Sequence, residues 1–337
     1  MATRPRQPDE QAPRFSVIVP SIGREAGLSL LLDSLDAQSL PRDQFEILVA
    51  MTSGAMSEAI GARLESSGAT AVVLAEARGP GSARNQAARR ARGEILAFTE
   101  DDCVVDRDWL AHAARRFDEE PGLDALDGWT EKPGHRPVRR RPTSDPLYLP
   151  TNLFVKRAVF ARAGGYGECF FEAHGGIYFR EDSDFGFALE ESGARVARDK
   201  TVIVLHPDEH TRFMDPLRWA RRYVMDPLLE RRHPRLFRER IEVMHLGPLR
   251  IRRPFVRACA LYVAGLGLTV VGMASHRPAV TIAGVLATAT GLLVVWAKWS
   301  FDLRRLPVVP IVPFVLLGSL AQGQRRAARI VAGAAKR

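Results

Sequence analysis

Two periodicities alternate through the first hundred residues. "FSVIVPS" (Phe15 to Ser21), "FEILVAM" (Phe45 to Met51), "TAVVLA" (Thr70 to Ala75) and "EILAFT" (Glu94 to Thr99) are short, apolar and rich in β-branched residues, as buried strands are. Between them Ala26 to Gln38, Ser57 to Ser67 and Gly81 to Arg92 carry apolar residues at helical spacing. Strands and helices in strict turn, joined by short loops, predict a mostly parallel sheet covered on both faces. Ligands of such sheets bind beyond the carboxyl ends of the strands, so function is expected there.

The fourth of these strands runs straight into Glu100, Asp101 and Asp102. Adjacent carboxylates repel one another, and such a cluster at the mouth of a buried strand needs solvent, a cation or a functional reason. A solvated turn before a helix starting near Asp108 is the commoner origin of an acidic run taken alone; its place after the fourth strand argues for a site. In extended chain Glu100 and Asp102 point to one side and Asp101 to the other. A second acidic group, Glu181, Asp182 and Asp184 in "FREDSDFGFALEESG", opens an amphipathic helix whose Phe185, Ala188 and Leu189 face inward. Acids in a first helical turn also suit the macrodipole without further purpose. "RVARDKTVIVLHPDEH" predicts a strand ending at His206, and Gly128 to Pro150, with five prolines and Arg139 to Arg141, predicts an excursion over the sheet edge or a membrane surface.

The net charge of +9 is unevenly spread. From Ile241 onward 13 Lys and Arg face two acids, a net of +11, which leaves −2 for the rest of the chain. The basic part also holds two stretches without Asp, Glu, Lys or Arg, Ala258 to Ser275 and Val280 to Trp296. Each is close to the ~20 residues that cross a bilayer core, and with "HRP" between them they predict a transmembrane hairpin rather than a pair of buried helices. Lys298 and Trp299 would anchor it at the interface. Arg250, Arg252, Arg253 and Arg257 precede the first span and Arg304 and Arg305 follow the second, so the positive-inside rule puts both flanks, and the folded domain, in the cytoplasm. Arginines that flank apolar spans face membranes, which disfavours nucleic acid as the partner. Pro216 to Pro254 is expected to form amphipathic helices on an anionic membrane face. Leu306 to Leu320, interrupted by Pro307, Pro310 and Pro313, is expected to be re-entrant or interfacial rather than a third span. Met1 to Arg14 is polar and Pro-rich, as a disordered leader is. Cys103, Cys169 and Cys259 are far apart and predict neither a zinc site nor disulfides.

The joint order of "VPSIGR", "LLLDSLDAQSLP", "FEILVA", "GPGSARNQAARRARGEILAFTEDDCVVDRDWL" and an "ED-x-D" helix about 80 residues later resembles the family 2 glycosyltransferases, over about Phe15 to His206. The resemblance implies a GT-A fold, an α/β domain with a mostly parallel sheet, here followed by C-terminal transmembrane helices. Together with the apolar and charged segments above, it divides the chain into a leader at 1–14, the GT-A catalytic domain at 15–210, amphipathic juxtamembrane helices at 211–257, the transmembrane hairpin with a re-entrant or third apolar segment at 258–322, and a basic tail at 323–337. By similarity, the acids after the fourth strand are the family's Asp-x-Asp element. Asp102 is then the metal ligand, with Glu100 or Asp101 near the ribose, and Glu100 can also reach the metal. His206 matches a metal-binding histidine of related transferases, although a lone histidine is as often structural. Pro20 and Ser21 fall where the family holds nucleobase and ribose, and Arg84 matches an arginine near the nucleotide. The family's catalytic base lands on Asp182, with Glu181 beside it.

The implied activity is inverting transfer of a sugar from a nucleotide-diphosphate sugar to an acceptor hydroxyl, with Mn²⁺ or Mg²⁺, and the expected membrane location points to a lipid-linked or envelope glycan as the acceptor. Such ions take oxygen ligands and need few protein carboxylates when phosphates complete the shell. One departure stands out. Where the family commonly has Asp-Asp-Gly-Ser after its second strand, this chain has Met51, Thr52, Ser53 and Gly54. The absent acid usually helps read the nucleobase, and its loss supports an alternative, a catalytically degenerate membrane-bound scaffold. The intact Glu100 to Asp102 and Asp182 argue for the enzyme.

Overall fold

The computed structural model describes residues 12–131, 149–172, 176–207 and 212–334. Residues 1–11 of the expected leader, most of the Pro- and Arg-rich excursion, residues 173–175 and 208–211, and the last three residues of the basic tail lie outside these. The chain divides into two compact units. Among the described residues the first comprises 12–131, 149–168 and 185–207, and the second 169–172, 176–184 and 212–334.

The first unit is built on β1 (Phe15–Pro20), β2 (Phe45–Thr52), β3 (Thr70–Leu74), β4 (Ile95–Phe98), β5 (Val104–Val105), β6 (Ala125–Glu131), β7 (Leu153–Lys156) and β10 (Val196–Leu205). They form one sheet in the order β3-β2-β1-β4-β7-β6-β10-β5. The small pair β8 (Phe171–Glu172) and β9 (Ile177–Tyr178) belongs to the second unit. The four strands of the alternating region pair in parallel, joined by α1 (Glu25–Asp36), α2 (Glu58–Ser66) and α3 (Gly79–Arg90), as their periodicity predicts. Beyond β4 the sheet is mixed. β7 runs antiparallel to both β4 and β6, and β10 is parallel to β6 and antiparallel to β5. Parallel neighbours need a crossover, usually helical. β7 pairs antiparallel with both of its neighbours, so neither pairing requires such a crossover.

α4 (Trp109–Glu119) covers the sheet with Trp109, Leu110, Ala113 and Phe117 buried against Phe15, Ile95 and Phe154. A single amide fastens the reversed strand. Asn152, 1 % exposed, accepts from Trp109 Nε1 at 2.9 Å and donates to the carbonyls of Val202 (2.9 Å) and Trp129 (3.1 Å). α5 (Arg157–Arg162) follows β7 and α6 (Glu181–Glu191) precedes β10. The first turn of α6, through Asp184, falls in the second unit and the rest in the first.

The second unit continues through α7 (Asp215–Arg221), α8 (Asp226–Arg232), α9 (Pro234–Arg240), the hairpin β11 (Val243–Leu246) and β12 (Leu249–Arg252), α10 (Pro254–Ala274), α11 (Pro278–Ala297) and α12 (Val312–Ala334). Among the described residues α10 and α11 are the two helices long and apolar enough to cross a bilayer. They touch through small residues: a Cβ on Gly284 would lie 2.4 Å from the Thr269 nitrogen, and one on Gly265 2.6 Å from that of Thr288. Close backbone approach of this kind is how apolar helices associate without a hydrophobic driving force. Their ends join Ala220, Tyr223, Val309, Val312 and Leu316 in a separate core. Lys298 stacks its ammonium 3.9 Å over the Trp219 ring, and Trp219 meets Trp299 edge-on. The Leu306 to Leu320 stretch forms a short 3-10 turn and then the start of α12, one helix that continues into the basic residues Arg325 to Arg329.

Candidate active site

The carboxyl ends of β1 and β4 lie side by side, because the two strands pair in parallel from Phe15 and Ile95. The loop after β1 and the acids after β4 therefore meet. Gly27 lets α1 approach: a Cβ there would fall 2.8 Å from the Asp101 carbonyl oxygen. Gly23, at φ +86°, makes the turn into α1 in a conformation that favours glycine.

The three acids lie beyond the end of β4, in a turn closed by the Cys103 amide on the Glu100 carbonyl at 3.1 Å, and the turn rather than strand alternation sets their directions. Asp101 is turned inward, 1 % exposed. Its Oδ2 accepts from Ser21 Oγ at 2.7 Å and the Ile22 amide at 3.3 Å, and its Oδ1 from Arg24 Nη2 at 2.6 Å and Nε at 3.0 Å. Asp101 thus locks the β1–α1 loop to the acidic loop, and Ser21 spends its hydroxyl proton in the same contact. Pro20 ends β1 beside them.

Glu100 and Asp102 face the other way, and His206, just after β10, meets them. His206 Nε2 lies 3.3 Å from Glu100 Oε2 and 3.8 Å from Asp102 Oδ1. Its Nδ1 lies 2.7 Å from the Pro207 carbonyl, an arrangement in which that nitrogen carries hydrogen. The hydrogen bond to Glu100, opposed by burial, raises the imidazole to a pKa of about 8. Burial pushes the Glu100 carboxyl up, but His206 and Arg84 outweigh it and hold the group below the ordinary carboxylate value. Asp102 is raised, chiefly by burial, against the attraction of Arg24, whose Nη1 lies 2.6 Å from Asp102 Oδ2.

One ligand atom each from Glu100, Asp102, Cys103 and His206 lie within 4.8 Å of one another. The two carboxylates supply the oxygen ligands that Mn²⁺ and Mg²⁺ take, while the imidazole is a softer donor that favours a transition-metal ion over Mg²⁺. The Cys103 thiol is fully buried and its pKa is driven far up by burial and by the neighbouring acids, so it offers no thiolate. The residues present fit a divalent cation.

Arg84, on α3, is 1 % exposed. Its Nη2 donates to Glu100 Oε1 at 2.9 Å, and its guanidinium stands 5.3 Å from the centre of the Tyr166 ring. Nε and Nη1 have no hydrogen-bond partner among the described residues. Buried donors of this kind are costly unless a further acceptor engages them. Neighbouring Asn85 braces the wall by exchanging hydrogen bonds with the Tyr166 backbone, 2.8 Å to its carbonyl and 2.9 Å from its amide.

In the second unit Glu181, Asp182 and Asp184 occupy the first turn of α6. Glu181 and Asp184 are buried and Asp182 is half-buried, its Oδ1 accepting the Ser183 amide hydrogen at 2.7 Å. Met51 is fully buried in β2 and Thr52 ends that strand, so the apolar replacement is absorbed by the core. Sequence reasoning assigned no role to Arg24 or Cys103. The signal for Arg24 is a cation four residues beyond β1, on the sheet edge where three acids leave β4.

A parallel β3-β2-β1-β4 core extended into a mixed sheet, with an acidic cluster beyond β4, is the architecture of the GT-A glycosyltransferases. Residues 16–185, half of the chain, match the model of the glycosyl transferase family 2, and the chain belongs to that family. Over 109 residues, 32 % of this chain, it is 31 % identical to the poly(ribitol-phosphate) beta-N-acetylglucosaminyltransferase TarS of Staphylococcus aureus; the match spans 19 % of that relative's length. Similar solved folds include S. aureus TarS 1–349 in complex with UDP-GlcNAc, at 17 % identity over 94 % of this chain and 92 % of that one, with a TM-score of 0.55. Another is the mannosyltransferase PcManGT from Pyrobaculum calidifontis in complex with GDP-Man and Mn²⁺, at 19 % identity over 94 % and 89 %, with a TM-score of 0.54. At these identities the likeness establishes the fold, and membership of the family makes the protein a glycosyltransferase.

Proposed function

We propose that the protein is an inverting, divalent-metal-dependent glycosyltransferase that moves a sugar from a nucleotide-diphosphate sugar to a hydroxyl of a lipid-linked or envelope glycan acceptor at a membrane. The observation that carries this reading is the convergence of Glu100, Asp102 and His206 beyond β4. Mn²⁺ or Mg²⁺ held by these residues would offset the charge of the departing diphosphate. Arg84 supports the same reading, since its two orphaned donors suit an anionic oxygen of the donor. Of the two acids assigned to the ribose side, Glu100 is the one free to face it, since Asp101 is buried and engaged by Ser21 and Arg24, and Pro20 and Ser21 line the nucleoside.

Asp182 is the proposed base. It is the half-buried acid of its turn, and proton transfer requires a carboxylate within hydrogen-bond reach of the acceptor hydroxyl. Glu181, buried beside it, would bias its charge. Direct displacement by a hydroxyl so activated inverts the anomeric centre.

Membrane attachment is supported by the outward apolar side chains of α10 and α11: Val270, Val271, Met273, Ile282 and Leu286 are each more than half exposed. A core helix of a soluble protein would bury them. The arginine-rich flanks favour a cytoplasmic catalytic domain, and confinement at the bilayer would raise the effective concentration of a lipid-linked acceptor.

The test is release of nucleoside diphosphate from UDP-GlcNAc and GDP-mannose by the full-length protein, with Mn²⁺ and with EDTA, and assignment of the product anomer by NMR. Metal-dependent release with inversion is expected. Release that persists in EDTA, or retention at the anomeric carbon, would contradict the proposal.

A further inference from the structure

α8 touches the acidic turn of α6 twice, once on each side of Asp182. At its start Asp226, fully buried, accepts from Arg180 Nε at 2.8 Å. At its end Arg232 donates to Asp184, Nε to Oδ1 at 2.5 Å and Nη2 to Oδ2 at 3.2 Å, and His233 Nε2 lies 3.0 Å from the same Oδ1. Arg180 and Asp184 bracket the turn. The Arg180 carbonyl also accepts the Asp184 amide hydrogen at 2.8 Å, so the residue clamped by Asp226 is the one that opens the α6 hydrogen-bond ladder.

The backbone is strained where the clamps act. Arg180 has φ +76°, and two other members of the cluster, Glu242 and Arg253, have φ +48° and +51°. Residues with a Cβ hold such conformations only where the surroundings over-determine them, and they gather at working sites. Here the surroundings are charged and buried. Arg253 Nη2 reaches the second oxygen of Asp226 at 2.5 Å, its Nε lies 3.3 Å from Glu242 Oε2, and Tyr223 bonds the other Glu242 oxygen. The Arg180 guanidinium is stacked 4.3 Å from the Phe179 ring. Arg253 is also the residue before α10, so one carboxylate fixes both the entry to the acidic turn and the entry to the first apolar helix.

We propose that α8 is a splint for this turn, with Asp226 and Arg232 as positioning residues that set Asp182 by holding Arg180 and Asp184. The proposal rests on the reading of Asp182 as the base. A displacement of about 1 Å in a reacting group costs on the order of 100-fold in rate, so loosening either clamp lowers kcat without disturbing nucleotide binding.

The test uses the full-length protein in detergent and follows Mn²⁺-dependent release of nucleoside diphosphate from UDP-GlcNAc and GDP-mannose. Arg232→Gln and Asp226→Asn are expected to lower kcat by roughly 10- to 100-fold with KM for the donor within about twofold of wild type. Arg232→Lys, which keeps the charge, recovers most of the rate. Because Asp226→Asn removes a buried charge and can unfold the region, the half-exposed Arg232 decides the matter. Amide hydrogen exchange over 179–187 supplies a readout independent of turnover: exchange faster by about tenfold or more in Arg232→Gln, with β1 and β4 unchanged, is expected. Wild-type exchange, or wild-type kcat in Arg232→Gln while Asp182→Asn is inactive, would overturn the splint and leave the base standing. Full turnover by Asp182→Asn would instead remove the base itself.

Discussion

Arg24 Nη1 lies 2.6 Å from Asp102 Oδ2 while the same guanidinium holds Asp101 Oδ1 through Nη2 and Nε. One cation thus balances a fully buried carboxylate and a partly buried one that is the proposed metal ligand. Arg24→Ala leaves Asp101 buried with only Ser21 and a backbone amide, and breaking one partner of such a pair is costly. The half-exposed guanidinium tempers the loss, so a destabilisation of about 2 kcal/mol is expected. The midpoint of urea unfolding measures it, and an unchanged midpoint would show that Arg24 is a spectator.

Asn152 joins three elements with one amide. Asn152→Ala would leave the Trp109 indole N–H and the Trp129 and Val202 carbonyls without their partner at the centre of the mixed half of the sheet. The expected destabilisation is about 3 kcal/mol, the low end of the sum for buried groups at 1–3 kcal/mol each. Asn152→Asp, which places a buried carboxylate oxygen against the Trp129 and Val202 carbonyl oxygens, is expected to cost at least as much as Asn152→Ala. The same urea titration ranks the three proteins.

Acid stability depends on Glu46. Burial raises this carboxyl, but the Ser16 hydroxyl and the Arg92 amide and guanidinium more than compensate and hold it below its ordinary 4.5. A group depressed in the folded state stabilises above its unfolded pKa and loses that contribution as pH falls through the folded value. The stability gap between wild type and Glu46→Gln is therefore expected to be constant above about pH 5 and to close below pH 4. Urea unfolding between pH 3 and 7 checks the sign; a gap that widens on acidification would refute it.

Membrane attachment by α10 and α11 predicts insensitivity to salt. Surface binding through arginines is screened, with a Debye length of about 3 Å at 1 M ionic strength, whereas apolar spans are not. The full-length protein is expected to float with liposomes equally well in about 0.1 M and 1 M salt and with neutral or anionic lipid. Release by salt would reassign attachment to the basic segments.

Much of this site is local in sequence and so was legible. The apolar runs of β1, β2 and β4 follow from periodicity, whereas the directions of Asp101 and Asp102 are set by a turn beyond β4 that an extended-chain reading does not give. The meeting of His206 with Glu100 spans over a hundred residues and was visible only through family resemblance. Non-local contacts with no periodic trace were not visible at all. Arg24 reads as one more surface arginine until β1 is paired with β4. Asp226 reads as an ordinary first-turn acid of an Arg-rich helix, although it is fully buried between two guanidinium groups. The reversal of β7 was hidden for a different reason: strand direction is set by how the connection returns, and a four-residue apolar strand carries no mark of it.

The proposed metal-assisted nucleotide site is built on Asp102. Calorimetric titration of UDP, GDP, dTDP and CDP, with and without Mn²⁺, into the wild-type protein and Asp102→Ala tests it most directly. Tight binding of one nucleotide that requires Mn²⁺ and disappears in Asp102→Ala is the predicted result. Binding that is equally strong without the metal or in the variant, or no binding of any of the four, would contradict it.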